Sequence, residues 1–207
     1  IKFQIGVNDD FFKNQKFNIN NCNALVTTHP LKGLDWLLDI WINIISLKIP
    51  WAEMHIYSHT LYKKSFVKNI KINNLKLKLF KYKNNGIHIK KPERETEFIQ
   101  TLSNYRVHIN PSNDITSLPF SVIESQARGL PVVSRENNAI FDYVYHNETG
   151  FITNDPNNFA NKIIDLLTDN SLFLRMNSNA KLNNKINNWK TEVESFEKKI
   201  YENIIHR

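Results

Sequence analysis

The order of apolar segments predicts an α/β fold, a parallel sheet with helices on both faces and further helices at the C-terminal end. Three observations carry this. Short apolar runs alternate with longer runs of helical spacing about five times along the chain. Residues 22–28 and 130–134 are short and apolar, as strands covered on both sides are. The 207 residues, 41% hydrophobic and 12% aromatic, are enough for one large domain with a buried core.

Taken in order, residues 22–28 form the first strand. From Gly33 onward, Leu34, Leu37, Leu38, Trp41 and Ile45 share one helical face, and Pro50 closes that helix. Residues 52–58 (AEMHIYS) are a strand, and the lysine- and asparagine-rich residues 60–85 read as a helix and surface loops. Residues 86–90 (GIHIK) are strand-like, and residues 93–104 suit a helix with Pro92 at its start. Residues 105–110 (YRVHIN) form a strand broken by Pro111, and 112–117 are turn-like. A helix over 119–128 is stopped by Gly129, and a short strand follows at 130–134. Residues 145–152 contain the turn from His146 to Gly150. Pro156 opens a helix with Phe159, Ile163, Ile164, Leu166 and Leu167 as its apolar positions. Residues 171–207 look helical, with a stripe of Trp189, Val193, Phe196, Ile200, Tyr201 and Ile204. The expected divisions are a hinge- or linker-like segment over 1–20, the sheet domain over 21–170 and terminal helices over 171–207.

Composition excludes several classes. The apolar and aromatic content is too high for a disordered chain, and 5 Gly with 7 Pro rule out a low-complexity or collagen-like array. A single cysteine, Cys22, forbids an internal disulfide and a cysteine-based zinc site, and its apolar surroundings make it a small core residue. The apolar stretch 34–47 is interrupted by Asp35, Asp39 and Asn43 and is too short to span a bilayer. Asparagine, at 30 residues, reflects an AT-rich genome rather than function. The formal net charge of +7 suits an anionic partner without choosing among nucleic acid, acidic lipid and nucleotide phosphate. The run from Lys76 to Lys83 (KLKLFKYK) reads as a half-exposed strand or solvated face, with RNA or lipid contact the lesser reading. The phosphate-loop motif and the G-x-G-x-x-G fingerprint do not occur, and the 7 histidines are scattered without metal-site spacing.

In open parallel sheets, ligands bind at the carboxyl ends of strands, near the switch in strand order. That directs attention to the loops after Thr28, Ser58, Lys90, Asn110 and Ser134. The richest segment runs from His108 to Ser134. Its strand leads into a helix whose first turn holds Ser117, Pro119 and Ser121, and helix starts attract anions. Glu124, further along that helix, could accept two hydrogen bonds from neighbouring hydroxyls of a ribose. The plainer reading pairs Glu124 with Arg128 at i+4.

Residues 116–133, TSLPFSVIESQARGLPVV, resemble the signature EGFPLSVLEAMACGLPVV of family 4 retaining glycosyltransferases of the GT-B type. Three further segments agree in order and spacing. Residues 5–12 (IGVNDDFF) resemble the "NGVD…F" segment, 27–35 (TTHPLKGLD) the "GRLSPEKGLD" loop, and 147–152 (NETGFI) "ENGFLV". The resemblance covers roughly residues 1–170. It implies a Rossmann-like domain, the donor-binding half of a GT-B enzyme that transfers a sugar from a nucleoside diphosphate sugar with retention. It implies no cofactor and no metal, the nucleotide sugar being a substrate.

The family's roles fall on particular positions. The ribose-binding glutamate matches Glu124, and the lysine that offsets pyrophosphate charge as the nucleotide leaves matches Lys32. These two are the expected catalytic residues. Thr28, Gly33, Thr116, Ser117, Leu118, Pro119, Phe120 and Ser121 are expected to line the donor site, and His88 and Ile89 to border the base. His88 alone also reads as a core or exposed histidine, and Lys32 alone as a solvated residue at a helix start. Two departures stand out. Thr116 replaces the glutamate that holds the sugar hydroxyls, and Thr27 replaces an arginine, a charge that Lys90 or Lys91 would have to supply. Pro119 also lacks an amide where the family is glycine-rich.

The resemblance further implies an acceptor-binding domain preceding Ile1, an unknown glycan, lipid or protein acceptor, and no nucleic acid partner. A cytoplasmic or membrane-peripheral location is expected. The alternative function is a catalytically degenerate nucleotide-sugar-binding or regulatory module.

Overall fold

The structure is a computed structural model that describes residues 4–63, 65, 67–114, 120–182 and 186–205. Six strands build one sheet: β1 (Asn23–Val26), β2 (Glu53–Tyr57), β3 (Ile87–Lys90), β4 (Val107–Asn110), β5 (Val132–Ser134) and β6 (Gly150–Ile152). All neighbours are parallel and the order is β3-β2-β1-β4-β5-β6. The predicted parallel sheet with helices on both faces is therefore what the chain forms. The chain moves outward from β1 to β3, then returns to place β4 beside β1, which makes the β1/β4 boundary the switch in direction.

The helices are α1 (Leu34–Ile40), α2 (Ser46–Lys48), α3 (His59–Tyr62), α4 (Ile70–Lys81), α5 (Glu95–Thr101), α6 (Phe120–Arg128), α7 (Pro156–Thr168), α8 (Asn170–Lys181) and α9 (Trp189–Ile205). Between α1 and α2, Trp41–Ile45 form a π-helical turn, so the helical run expected from Gly33 continues to Lys48 before Pro50. Side chains alternate across the sheet. Ala24, Val26, Met54, Ile56, Val107 and Ile109 point to a core closed by α1, α4 and α7. Leu25 and Tyr57 point to the opposite core, filled from α5, α6, α8 and the N-terminal segment. Arg106, just before β4, ties the bottom of this arrangement together. Its guanidinium donates to the carbonyls of Ile19, Leu166 and Asp169 and to Asn170 Oδ1.

Several expectations need correction. β6 was not anticipated, because it is three residues long and opens with Gly150 directly after a turn. The run from Lys76 to Lys83 is not a strand: Asn69 caps α4, and Ile72, Leu75 and Leu79 supply a buried helical face that outweighs the local alternation. Residues 93–104 hold only the short helix α5, followed by a 3₁₀ turn over Leu102–Asn104. The helix expected over the stripe forms as α9, and of its stripe Trp189, Val193 and Tyr201 are exposed. In the N-terminal segment, Ile5, Val7, Phe11 and Phe17 are buried, and Val7 exchanges backbone hydrogen bonds with Asn187 and Trp189.

Candidate functional site

At the switch point, the loops after β1 and β4 diverge and leave a cavity of about 330 Å³. The β1 loop contributes Thr28, His29 and Lys32 to its wall. The end of β4 contributes Asn110 and Ser112, α6 contributes Phe120, Ser121, Val122 and Glu124, and Asn137 closes the side beyond β5. Gly33 makes the close approach of the two loops possible. It adopts φ +85°, and a Cβ there would fall 2.1 Å from the Pro111 carbonyl oxygen.

The floor is a network of neutral hydrogen bonds. Thr27 Oγ1 lies 2.9 Å from His108 Nε2 and 2.7 Å from Ser121 Oγ. The other imidazole nitrogen, Nδ1, is 2.8 Å from Ser125 Oγ. Complete burial pushes the His108 pKa down to about 3, so the ring is neutral at physiological pH. Beside it, Asn110 accepts from Thr28 Oγ1 and donates to Ser134 Oγ. These bonds hold the β1 loop, β4 and α6 in fixed relation beneath the opening.

Two side chains bring charge to the walls. Lys32 Nζ is 2.9 Å from Asp114 Oδ2, and both side chains are about one-third exposed. Across the cavity, burial raises the Glu124 carboxyl to about 7, and the negative charge of Glu95 adds to the rise. Glu124 and Phe120 also line a second hollow of about 300 Å³, where Asn8, Asp9, Glu95, Trp189 and Lys190 meet. There the Asn8 amide donates to Glu95 Oε1 at 2.6 Å. The plainer pairing of Glu124 with Arg128 does not occur. Arg128 turns away to donate to the carbonyls of Asp10 and Lys13 and to Gln15 Oε1. Among the described residues, Glu124 has no hydrogen-bond partner.

Of the residues singled out from sequence, Thr28, Lys32, Phe120, Ser121 and Glu124 meet around the one cavity. Gly33 lies just outside its wall, shaping the loop. His88 and Ile89 do not line it. His88 sits mid-strand against Glu53 and His55, and Ile89 points to the opposite face, into a groove between β3 and α4. Lys90 and Lys91 do not line it either, and no arginine does among the described residues. Arg135, at the carboxyl end of β5, stacks its guanidinium over Trp36 at 4.5 Å. Thr116, Ser117, Leu118 and Pro119 lie outside the described residues. His29, Asn110, Ser112, Asn137 and the Lys32 partner Asp114 were missed. Their signal was position: each stands at or just beyond the carboxyl end of β1, β4 or β5.

The family model for the group 1 glycosyl transferases matches residues 22–169, most of the chain. The chain belongs to that family. No curated protein matches the sequence. Among solved structures, HepE of Anabaena in complex with UDP-glucose superposes with a TM-score of 0.77 at 15% identity, covering 97% of this chain and 57% of that one. S. aureus TarM, in a complex that contains UDP, gives 0.70 at 18% identity over 96% of this chain and 37% of that one. A C-terminal domain of the group 1 glycosyl transferase LpcC from Francisella tularensis gives 0.61 at 14% identity over 77% and 81%. At these identities the structures establish the fold, a Rossmann-like half of the GT-B architecture. The chain spans only about one-third to just over half the length of HepE and TarM. No helix among the described residues is long and apolar enough to cross a membrane.

Proposed function

We propose that this group 1 glycosyl transferase chain is the donor-binding half of an enzyme that transfers a sugar from a nucleoside diphosphate sugar. The observation that carries the proposal is that Lys32 and Glu124, from different elements, both line one cavity at the sheet's switch point. Glu124 is the hydroxyl acceptor for the ribose. Its carboxylate gains most when two hydroxyls replace the water that burial has removed. Lys32 faces the diphosphate and offsets the charge that grows as the sugar bond breaks. The reaction proceeds with retention, needs no metal or cofactor, and takes its acceptor, a glycan, lipid or protein, on a second domain of the same enzyme. The proposal extends by resemblance to Thr116, Ser117, Leu118 and Pro119, which lie outside the described residues, as further donor contacts, and to a protein that works in the cytoplasm or at a membrane surface. HepE, solved with UDP-glucose, supports a nucleotide sugar of this kind as the donor.

The test is calorimetric titration of the chain with UDP, GDP and ADP and their sugar conjugates. At least one should bind, and Glu124→Ala should weaken it by about 1–3 kcal/mol. Failure of every nucleotide at about millimolar concentration overturns the assignment, since a Kd of about 1 mM is already only about 4 kcal/mol of binding.

A second reading is a binding module without transfer activity. The Lys32–Asp114 ion pair and the absence of an arginine from the described cavity wall favour it, because both reduce the charge available to a leaving diphosphate. The two readings separate in a nucleotide-release assay on the chain joined to its acceptor domain.

A further inference from the structure

Glu53 and His55 lie two residues apart on β2, and therefore on the same face, while His88 stands directly opposite His55 on β3. Glu53 Oε2 is 2.8 Å from His55 Nε2, and Glu53 Oε1 is 3.7 Å from His88 Nε2. One ligand atom from each residue lies within 4.8 Å of the other two. The imidazoles meet edge to face with centroids 5.3 Å apart. Side-chain exposures of 46% for Glu53 and 43% for His88 leave the triad open to solvent on one side.

We propose that Glu53, His55 and His88 form a binding site for a divalent transition-metal ion of the zinc class, a site separate from the nucleotide cavity. Tetrahedral coordination at about 2.0–2.1 Å places ligand atoms roughly 3.3 Å apart. The separations from the two imidazoles to the two oxygens of Glu53, 2.8 and 3.7 Å, lie on either side of that spacing, and one ligand atom from each residue is within 4.8 Å of the others. Two imidazoles and one carboxylate select borderline ions such as Zn²⁺ over Mg²⁺ or Ca²⁺, which prefer all-oxygen sets. The fourth position faces solvent and takes water.

An outer layer orients the buried ligand. His55 Nδ1 is 3.0 Å from the Tyr105 hydroxyl, which lies 3.1 Å from the Tyr57 hydroxyl, and Tyr57 donates to Glu93 Oε1 at 3.2 Å. In the ion-free state His55 Nε2–H donates to Glu53, and Nδ1 accepts from Tyr105. When an ion takes Nε2, the imidazole proton moves to Nδ1 and donates to Tyr105, whose own hydroxyl turns toward Tyr57. The proton count is unchanged, and the metal-bound nitrogen keeps a fixed tautomer. The ion would clamp β3, the edge strand, to β2.

Titration of the chelator-treated chain with ZnCl₂, followed by calorimetry, tests the site. The expected result is saturable binding of one ion, weakened at least about tenfold by His88→Ala and by Glu53→Gln. Both positions are exposed enough to change without unfolding the sheet, which circular dichroism of the metal-free variants checks. His59→Ala serves as the control and should bind as the parent does, and MgCl₂ should give no saturable heat. Zn²⁺ should raise the melting temperature of the parent but not of His88→Ala. Absence of saturable binding, or equal binding by His88→Ala and the parent, overturns the proposal. Either result leaves the nucleotide reading standing, because none of the three residues lines the cavity.

Discussion

Replacing Glu124 by glutamine should stabilise the ligand-free protein at neutral and alkaline pH. The carboxyl is shifted from 4.5 to about 7, mainly by burial. The native state therefore holds a proton that the unfolded chain releases. Below about pH 4.5 both states are protonated and no penalty exists. As pH rises toward 7 the unfolded state ionises first, stability falls, and above 7 the full penalty persists. A shift of that size corresponds to roughly 3 kcal/mol, and partial solvent access discounts it to about 1–2 kcal/mol. Glutamine keeps the shape and carries no charge, so it recovers that amount. For a chain of this length the gain raises the melting temperature by about 2–8 °C. Scanning calorimetry of parent and Glu124→Gln between about pH 4 and pH 8 reads it as a gap that opens with pH. Groups that do not interact with Glu124 cancel in the difference, while Glu95, whose charge adds to the shift, contributes to the gap in the same direction. If the gap is the same at both ends, or if the variant melts lower near pH 8, burial does not control this carboxyl.

Gly33→Ala should cost more than about 2 kcal/mol, since the left-handed backbone and the contact with the Pro111 carbonyl both resist a Cβ. A urea titration measures it, and a variant as stable as the parent would show that the loops are free to part. Arg106→Met should destabilise by about 3 kcal/mol or more in the same assay, because four acceptors lose a charged donor. His108, held near pKa 3 against its ordinary 6.5, remains neutral in the native state while the unfolded chain takes up a proton below 6.5. Stability should therefore drop by about 2 kcal/mol between pH 6.5 and 5 on its account. His108→Gln, compared with the parent at both pH values, should lose most of that slope.

Much of the architecture was legible because a parallel sheet writes itself plainly in sequence. Buried strands are short apolar runs, and helices between them carry a 3.6-residue spacing. The switch point was not readable in this way. Strand order depends on which edge the chain returns to, and no local pattern in residues 105–110 says that β4 lies beside β1. That Thr28, Lys32 and Glu124 share one cavity is legible in sequence because they follow strand ends or stand on a helix within a recognisable signature. The role given to His88 came from the resemblance and not from the strand, which the sequence already placed over 86–90. β3 runs on to Lys90, so His88 stands mid-strand with its ring toward Glu53. The helix read within 60–85 is α4, with a solvated face as the alternative had it; only the strand option for Lys76–Lys83, drawn from alternation, fails, and the decisive residue lay outside the run: Asn69, whose side chain accepts from the amides of Lys71 and Ile72 and starts the helix.

The floor of the cavity also accounts for the threonine at position 27. Its hydroxyl serves the His108 imidazole and the Ser121 hydroxyl at once, joining β1 to α6 without any charge. A guanidinium on this spot would lie against a ring that burial keeps neutral, and the pair would lose both the hydroxyl bridge and solvation. Neutral bonding beneath the site thus goes with sparse positive charge above it. Arg128 and Arg135 spend their guanidinium groups on the N-terminal segment and on Trp36. Under the donor-binding reading, Lys32 is then the cation on the described cavity wall, and Asp114 competes with the diphosphate for it. Binding needs only that the diphosphate win this competition. Transfer needs Lys32 to stabilise additional charge as the bond to the sugar lengthens, so the strength of the Lys32–Asp114 pair decides between an enzyme and a binding module.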